Sequence, residues 1–359
     1  MSLITHAHDN DVPADVDRRL TDLLKRLVSR PGIHHATVAV ATGDGKRRWS
    51  AAGGLTPGTP FFLASVTKRF IVTLVLQARE RGELELDAPI GRYLPAGTTA
   101  GLHVLGGVDR TPEITVRHLA SHTSGLPDYF EHRRRGPTLF QHLAAGRDQS
   151  WTFEDVLRMT REQRPHFAPQ DLTAARQRAR YSDTGFQLLI RVLETVTGRS
   201  FADLLSGRIL GPLGLTGTWL PGHAPPHAPA PSPLHARRRP VDLTAMIASS
   251  NDLYGTTGDL LTFQRALLGG ALFDSVDLPA ERRNRLRDIP VLRYGLGTMF
   301  FTVNRFRRPL TLAGHSGVTG TWLFHCPEYD LHLAGTVDQT TARALPFQIM
   351  TRCLRAWRT

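Results

Sequence analysis

Apolar residues at Val16, Leu20, Leu23, Leu24 and Leu27 recur at helical spacing and predict a helix over 14–30, closed by Pro31-Gly32. Residues 1–13 are polar and read as a flexible tail. Two strand-like runs follow at 36–41 and 48–52, with Thr42-Gly43-Asp44-Gly45 between them as a hairpin. Residues 66–81 return to helical spacing, with Phe70, Leu74 and Ala78 on one face. The middle of the chain predicts helices at 115–121, 152–163, 183–197, 200–209 and 258–268. It also holds a Pro-, Ala- and His-rich loop or flap over 221–243. Consecutive strands are expected at 292–303, 309–314, 320–326 and 331–337, then a helix at 342–357. The economical reading is an α/β domain made of 14–95 and 288–359, with a helical domain, 96–287, inserted.

Composition narrows this picture. At 359 residues and 41% hydrophobic the chain exceeds one simple core, and 21% charged residues is ordinary for a folded protein. The formal net charge is +12, which raises a nucleic-acid partner. The arginines are scattered, however. The short runs Arg133–Arg135 and Arg237–Arg239 carry no interleaved aromatics and no nucleic-acid motif, so solvated faces are expected. No apolar run reaches membrane-spanning length, and the N-terminus has no secretory h-region, so a cytoplasmic protein without a membrane partner is expected. Cys326 and Cys353 are too few for a disulfide framework. His223, His227 and His235 lie in the Pro-rich segment without Cys or carboxylate ligands nearby, and no metal or cofactor is expected. Oligomeric state is not readable.

Three short segments carry chemistry. In Ser65-Val66-Thr67-Lys68 an apolar segment passes into a helix, and i,i+3 spacing brings the amine towards the hydroxyl. Serine needs such a neighbouring base to act as a nucleophile. The chain has three lysines, Lys25, Lys46 and Lys68, so a chance Ser-x-x-Lys is improbable. The second segment is Tyr181-Ser182-Asp183, opening a helix. The third is Gly314-His315-Ser316-Gly317, on or beside a strand.

With these residues the chain resembles the serine β-lactamase and penicillin-binding-protein superfamily. The branch is that of class C β-lactamases, D,D-carboxypeptidases, D-aminopeptidases and related esterases and acyltransferases. The resemblance runs from about Asp15 to the C-terminus, through FFLASVTKRF (61–70), LELDAPIGRYLP (84–95), ITVRHLASHTSGLPDY (114–129), YSDTGFQLLIRVLETVTGRSF (181–201), ILGPLGLTGTWL (209–220), TTGDLLTFQRALLGGALF (256–273) and AGHSGVTGTWLF (313–324). It implies a β-lactamase/transpeptidase-like α/β (α+β) fold: an antiparallel sheet flanked by helices with an inserted all-α domain.

The resemblance also implies roles. Ser65 is the acyl-accepting nucleophile, and Lys68 and Tyr181 are the general-base pair. The backbone N–H groups of Ser65 and Val318 form the oxyanion hole. His315, Ser316 and Gly317 make up the third, substrate-binding motif, and Asp183 stands where many members have Asn. A carboxylate there favours charged Lys68 and shifts proton-taking towards Tyr181. His315 replaces the cation of the frequent Lys-Thr-Gly, which argues for small-molecule esters or amides lacking a carboxylate. His122 and Ser124 form no triad, since the chain has no G-x-S-x-G elbow; the resemblance makes their segment structural. The rim is expected at 130–150 and 221–243, with Arg133–Arg135 steering anionic donors. The implied function is an acyl-Ser65 hydrolase, an esterase or D-amino-acid peptidase or amidase. Acyl transfer to a non-water acceptor, weak β-lactamase activity and a non-catalytic binding protein are the alternatives.

Overall fold

The computed structural model describes residues 4–7, 12–131, 135–273, 283–303 and 308–358. Its centre is a nine-stranded antiparallel sheet. The strands are β1 (Ile4–Ala7), β2 (Ala36–Thr42), β3 (Arg48–Gly53), β4 (Asn284–Arg285), β5 (Arg293–Gly295), β6 (Thr298–Val303), β7 (Leu310–Ser316), β8 (Trp322–Cys326) and β9 (Leu331–Thr336). Their spatial order is β1-β3-β2-β9-β8-β7-β6-β5-β4. Residues from both ends of the chain therefore meet at the β2–β9 pair, where Val38 lies opposite Gly335 and Val40 opposite Leu333.

Both faces of this sheet are covered, and the period of two decides which side chain goes where. On β2, Val38 and Val40 enter one core, with Phe324 and Leu333. Helix α1 (Ala14–Val28) and the C-terminal helix Leu345–Trp357 complete that layer. Ala39 and Ala41 point the other way, with Leu323 and Ala334, into the core shared with helices α2 (Thr67–Glu80), α3 (Asp183–Thr197) and α4 (Thr257–Leu268). Small residues on that face let the helices approach closely. Helix α1 is oriented by Asp15 and Asp17 in its first turn and Lys25 and Arg26 in its last, each opposing the local end of the helix dipole.

Three expectations are corrected. The N-terminal tail is not wholly irregular: Ile4–Ala7 pairs with β3 as an edge strand, and backbone pairing explains how a polar run joins a sheet. The run 292–303 is two strands, because Leu296 and Gly297 both take positive φ (37° and 66°) and turn the chain back. Gly297 N–H donates to Ala120 O at 2.8 Å, fixing that turn against the middle of the chain. The 221–243 segment is not all loop: Leu234–Ala236 and Arg239–Val241 form a hairpin, and Leu234 and Leu243 pack with Tyr129, Leu143 and Trp151.

Candidate active site

Ser65 sits in a single 3-10 turn, Ala64–Val66, that runs into α2. Ala64 holds φ at +47°, a left-handed conformation that a residue with a Cβ adopts only when its surroundings hold it there. One helical turn on, Lys68 is 4% exposed, and its Nζ donates to Ser65 Oγ at 3.1 Å. Tyr181, just before α3, donates from its Oη to the same oxygen at 2.9 Å. Asp183, in the first turn of α3, lies 2.5 Å from Lys68 Nζ. The first two sequence segments thus converge on one oxygen, although 116 positions separate Tyr181 from Ser65.

Three buried or half-buried carboxylates surround this lysine. Burial alone would depress Lys68, but Asp183 and Asp252 outweigh it and hold the ammonium well above its ordinary value. Burial pushes Asp252 up to about 6 against the pull of Lys68. Burial and Asp183 raise Asp128 well above the carboxylate range. Tyr181 is raised too, by burial and then by Asp183. The resting site therefore holds a charged Lys68 ammonium beside a neutral Tyr181 phenol, both donating to Ser65 Oγ. Asp183 does favour charged Lys68, as the sequence suggests. The same carboxylate also disfavours the Tyr181 phenolate, so it does not simply pass the base role to tyrosine.

The third segment approaches from the sheet. His315 pairs with Leu323 and Ser316 with Trp322 at the end of β7. Gly317 is required by proximity: a Cβ there would stand 2.9 Å from both Ala64 Cβ and Leu63 O. Gly317 N–H is taken by Thr321 O at 2.7 Å, and Val318 follows in the turn. His315 itself is fully buried and does not line the cavity. Its Nδ1 is 2.9 Å from Ser316 O, which can only accept, so the proton belongs on Nδ1. Nε2 then accepts from Tyr294 Oη at 3.1 Å. Burial, with Lys68 nearby, lowers the imidazole well below its usual value, leaving it neutral.

Ser65, Lys68, Tyr181, Asp183, Ser316, Gly317 and Val318 all line one cavity of about 460 Å³. The rest of its wall is largely apolar, with Phe62, Phe186, Ile247, Met299, Phe301 and Phe347 prominent. Of the expected rim, Phe130, Glu131 and Leu143 line it and no residue of 221–243 does. Arg133 and Arg134 lie outside the described residues, and Arg135 is exposed and not part of the lining. His122 is buried. Its ring lies against Tyr181 and Tyr294, at 4.3 Å between centroids in each case, and Nδ1 accepts from Ser182 N–H. It supports Tyr181 from behind and makes no bond to Ser65. Sequence reading missed Asp128, Asp252 and Tyr294; Asp128 lies inside a quoted matching segment, whereas Asp252 and Tyr294 carry no local signal.

The profile of the β-lactamase family matches residues 20–345. The chain belongs to this family. It is similar to the D-alanyl-D-alanine-carboxypeptidase/endopeptidase AmpH of Escherichia coli K12, with 25% identity over 59% of this chain and 49% of that protein. It is also similar to penicillin-binding protein 4 of Amycolatopsis lactamdurans, with 33% identity over 51% of this chain and 44% of that protein. The chain thus spans about half the length of these curated relatives. Among solved structures, a D-stereospecific amidohydrolase from Streptomyces sp. superposes with a TM-score of 0.72 at 25% identity, covering 95% of this chain and 98% of its own. D-amino acid amidase from Ochrobactrum anthropi SV3 shares the fold, with a TM-score of 0.75 at 22% identity over 96% and 98% of the two chains. The expected β-lactamase/transpeptidase-like fold holds. Among the described residues no helix is long and apolar enough to cross a membrane.

Proposed function

We propose that the protein is a serine hydrolase that cleaves amides or esters of bulky apolar acyl groups through an acyl-Ser65 intermediate, with amine-bearing D-amino-acid amides as the favoured class. The observation that carries this reading is the pair of hydrogen bonds from Lys68 and Tyr181 to Ser65 Oγ at the cavity wall. Ser65 Oγ attacks the substrate carbonyl carbon while its proton passes to the Lys68–Tyr181 couple, once that couple has itself lost a proton. The carbonyl oxygen becomes an oxyanion held by the Ser65 and Val318 N–H groups. Collapse expels the amine or alcohol, which takes the proton from the couple. Water then attacks the acyl-Ser65 carbonyl and releases the carboxylic acid, regenerating the hydroxyl.

Charge supports the substrate class. Four carboxylates line the cavity, Glu131, Asp183, Asp252 and Asp288, against two cations, Lys68 and Arg343, in a chain whose overall charge is +12. Arg343 is ion-paired to Glu131 and Lys68 to Asp183. Neutral His315 supplies no cation for a β-lactam or peptide carboxylate, whereas a substrate ammonium finds spare carboxylates. The test is hydrolysis of D- and L-phenylalaninamide, N-acetyl-D-phenylalaninamide and p-nitrophenyl acetate by wild type and Ser65→Ala. Ser65-dependent turnover, fastest with the free-amine D-amide, supports the proposal. Equal turnover by both proteins refutes the mechanism, and a preference for the N-acetyl amide refutes the charge argument.

A further inference from the structure

The hairpin β8–β9 carries a second constellation, away from the cavity lining. His325 and His332 are directly opposed across the strand pair, and Asp330 lies in the turn that joins them. The two imidazoles stack at 4.6 Å between centroids. All three residues offer ligand atoms within 4.8 Å of one another. His325 Nε2 and Asp330 Oδ1 stand 3.2 Å apart. Two donors each about 2.0–2.1 Å from a tetrahedral ion are separated by roughly 3.3 Å, so this pair already has the spacing of a shared metal. An independent observation points the same way. His332 is 3% exposed, yet its Nδ1 has no hydrogen-bond partner among the described residues. A buried imidazole nitrogen left without a partner is costly unless a ligand takes it up.

We propose that His325, Asp330 and His332 form a site for a divalent late transition ion such as Zn²⁺, with the fourth position open to solvent. Two imidazole nitrogens and one carboxylate oxygen suit this class of ion better than Ca²⁺ or Mg²⁺. Asp330 is held at φ +47° with its carboxylate against Gly43, where a Cβ would collide with it. On binding, the ion takes the place of the hydrogen between His325 and Asp330, and the imidazole proton moves to Nδ1. Arg265 is the opposing charge nearby; its Nε donates to Gly43 O. The bound ion would tie β8 to β9, one strand from the segment Gly314–Gly317, and raise the melting temperature.

The test uses the full chain stripped with chelator and titrated with zinc alone, by calorimetry and thermal melting. One zinc per chain and a higher melting temperature are expected. His325→Gln and Asp330→Asn, at less buried positions, should each weaken zinc about tenfold or more and abolish the melting shift. The double substitution His223→Asn/His227→Asn should change neither. No zinc binding overturns the proposal, as does zinc binding that survives His325→Gln and Asp330→Asn or that disappears with His223 and His227. Melting of each zinc-free variant at the wild-type temperature separates lost binding from lost folding.

Discussion

The two walls that face each other across Ser65 are built differently. On the helical wall, Lys68, Tyr181, Asp183 and Asp252 are ionisable, act on one another electrostatically and come from three distant segments. On the strand wall, Ser316, Gly317 and Val318 offer one hydroxyl and backbone, and the nearby imidazole is neutral and turned into the core. In the proposed mechanism proton movement belongs to the first wall, while the oxyanion is shared between the Ser65 N–H at the start of α2 and the Val318 N–H of the second. The proposed preference for an amine over a carboxylate rests on the same contrast: the lining carboxylates outnumber the cations, and the imidazole beside the strand wall is neutral.

Substitutions that silence one wall at a time sharpen this contrast. The largest effect is expected from Lys68→Ala or Tyr181→Phe, each lowering kcat by about 10²–10⁴-fold with little change in KM, read from steady-state hydrolysis of p-nitrophenyl acetate. His315→Gln, on the other wall, should lower kcat/KM less than about tenfold, since it takes no proton from Ser65. If His315→Gln is as damaging as Lys68→Ala, the division is wrong. Gly317→Ala is the informative change on the strand side. Its Cβ must push Ala64 and Leu63 away, and a displacement of about 1 Å at the nucleophile lowers kcat by about 10²-fold.

A subtler break concerns proton affinity. Asp183 raises both Lys68 and Tyr181, so Asp183→Asn lowers both, and the base appears at lower pH. The alkaline rise of kcat/KM should shift to lower pH; an unchanged profile would separate Asp183 from the base. The smallest effect is on stability. The folded state holds the Asp252 proton more tightly than the unfolded chain, with a value near 6 against an ordinary 3.8. That contribution is present in full below about pH 4 and is lost as pH rises through about 6. Asp252→Asn should therefore gain up to about 3 kcal/mol over wild type at pH 8 and nothing at pH 4, by denaturant melts at the two pH values.

Much of the helical wall was legible in the sequence because Ser65–Lys68 and Tyr181–Asp183 are contiguous, each at the start of a helix with strong apolar spacing. Asp128 and Asp252 were not, because their significance lies in burial around a lysine far along the chain. The sequence puts His315 where a cation is frequent in the family, and its buried bond to Tyr294 is not visible there, because Tyr294 arrives through a hairpin turned by Leu296 and Gly297 at positive φ. The edge strand Ile4–Ala7 was missed because backbone pairing, not apolar alternation, places it.

The proposed mechanism makes Ser65 a covalent nucleophile. Intact-mass spectrometry after incubation with a fluorophosphonate, on wild type and Ser65→Ala, tests it most directly. One adduct per chain is expected on wild type, mapped to the peptide containing Ser65, and none on Ser65→Ala. An unlabelled wild type, or equal labelling of both proteins, would contradict it.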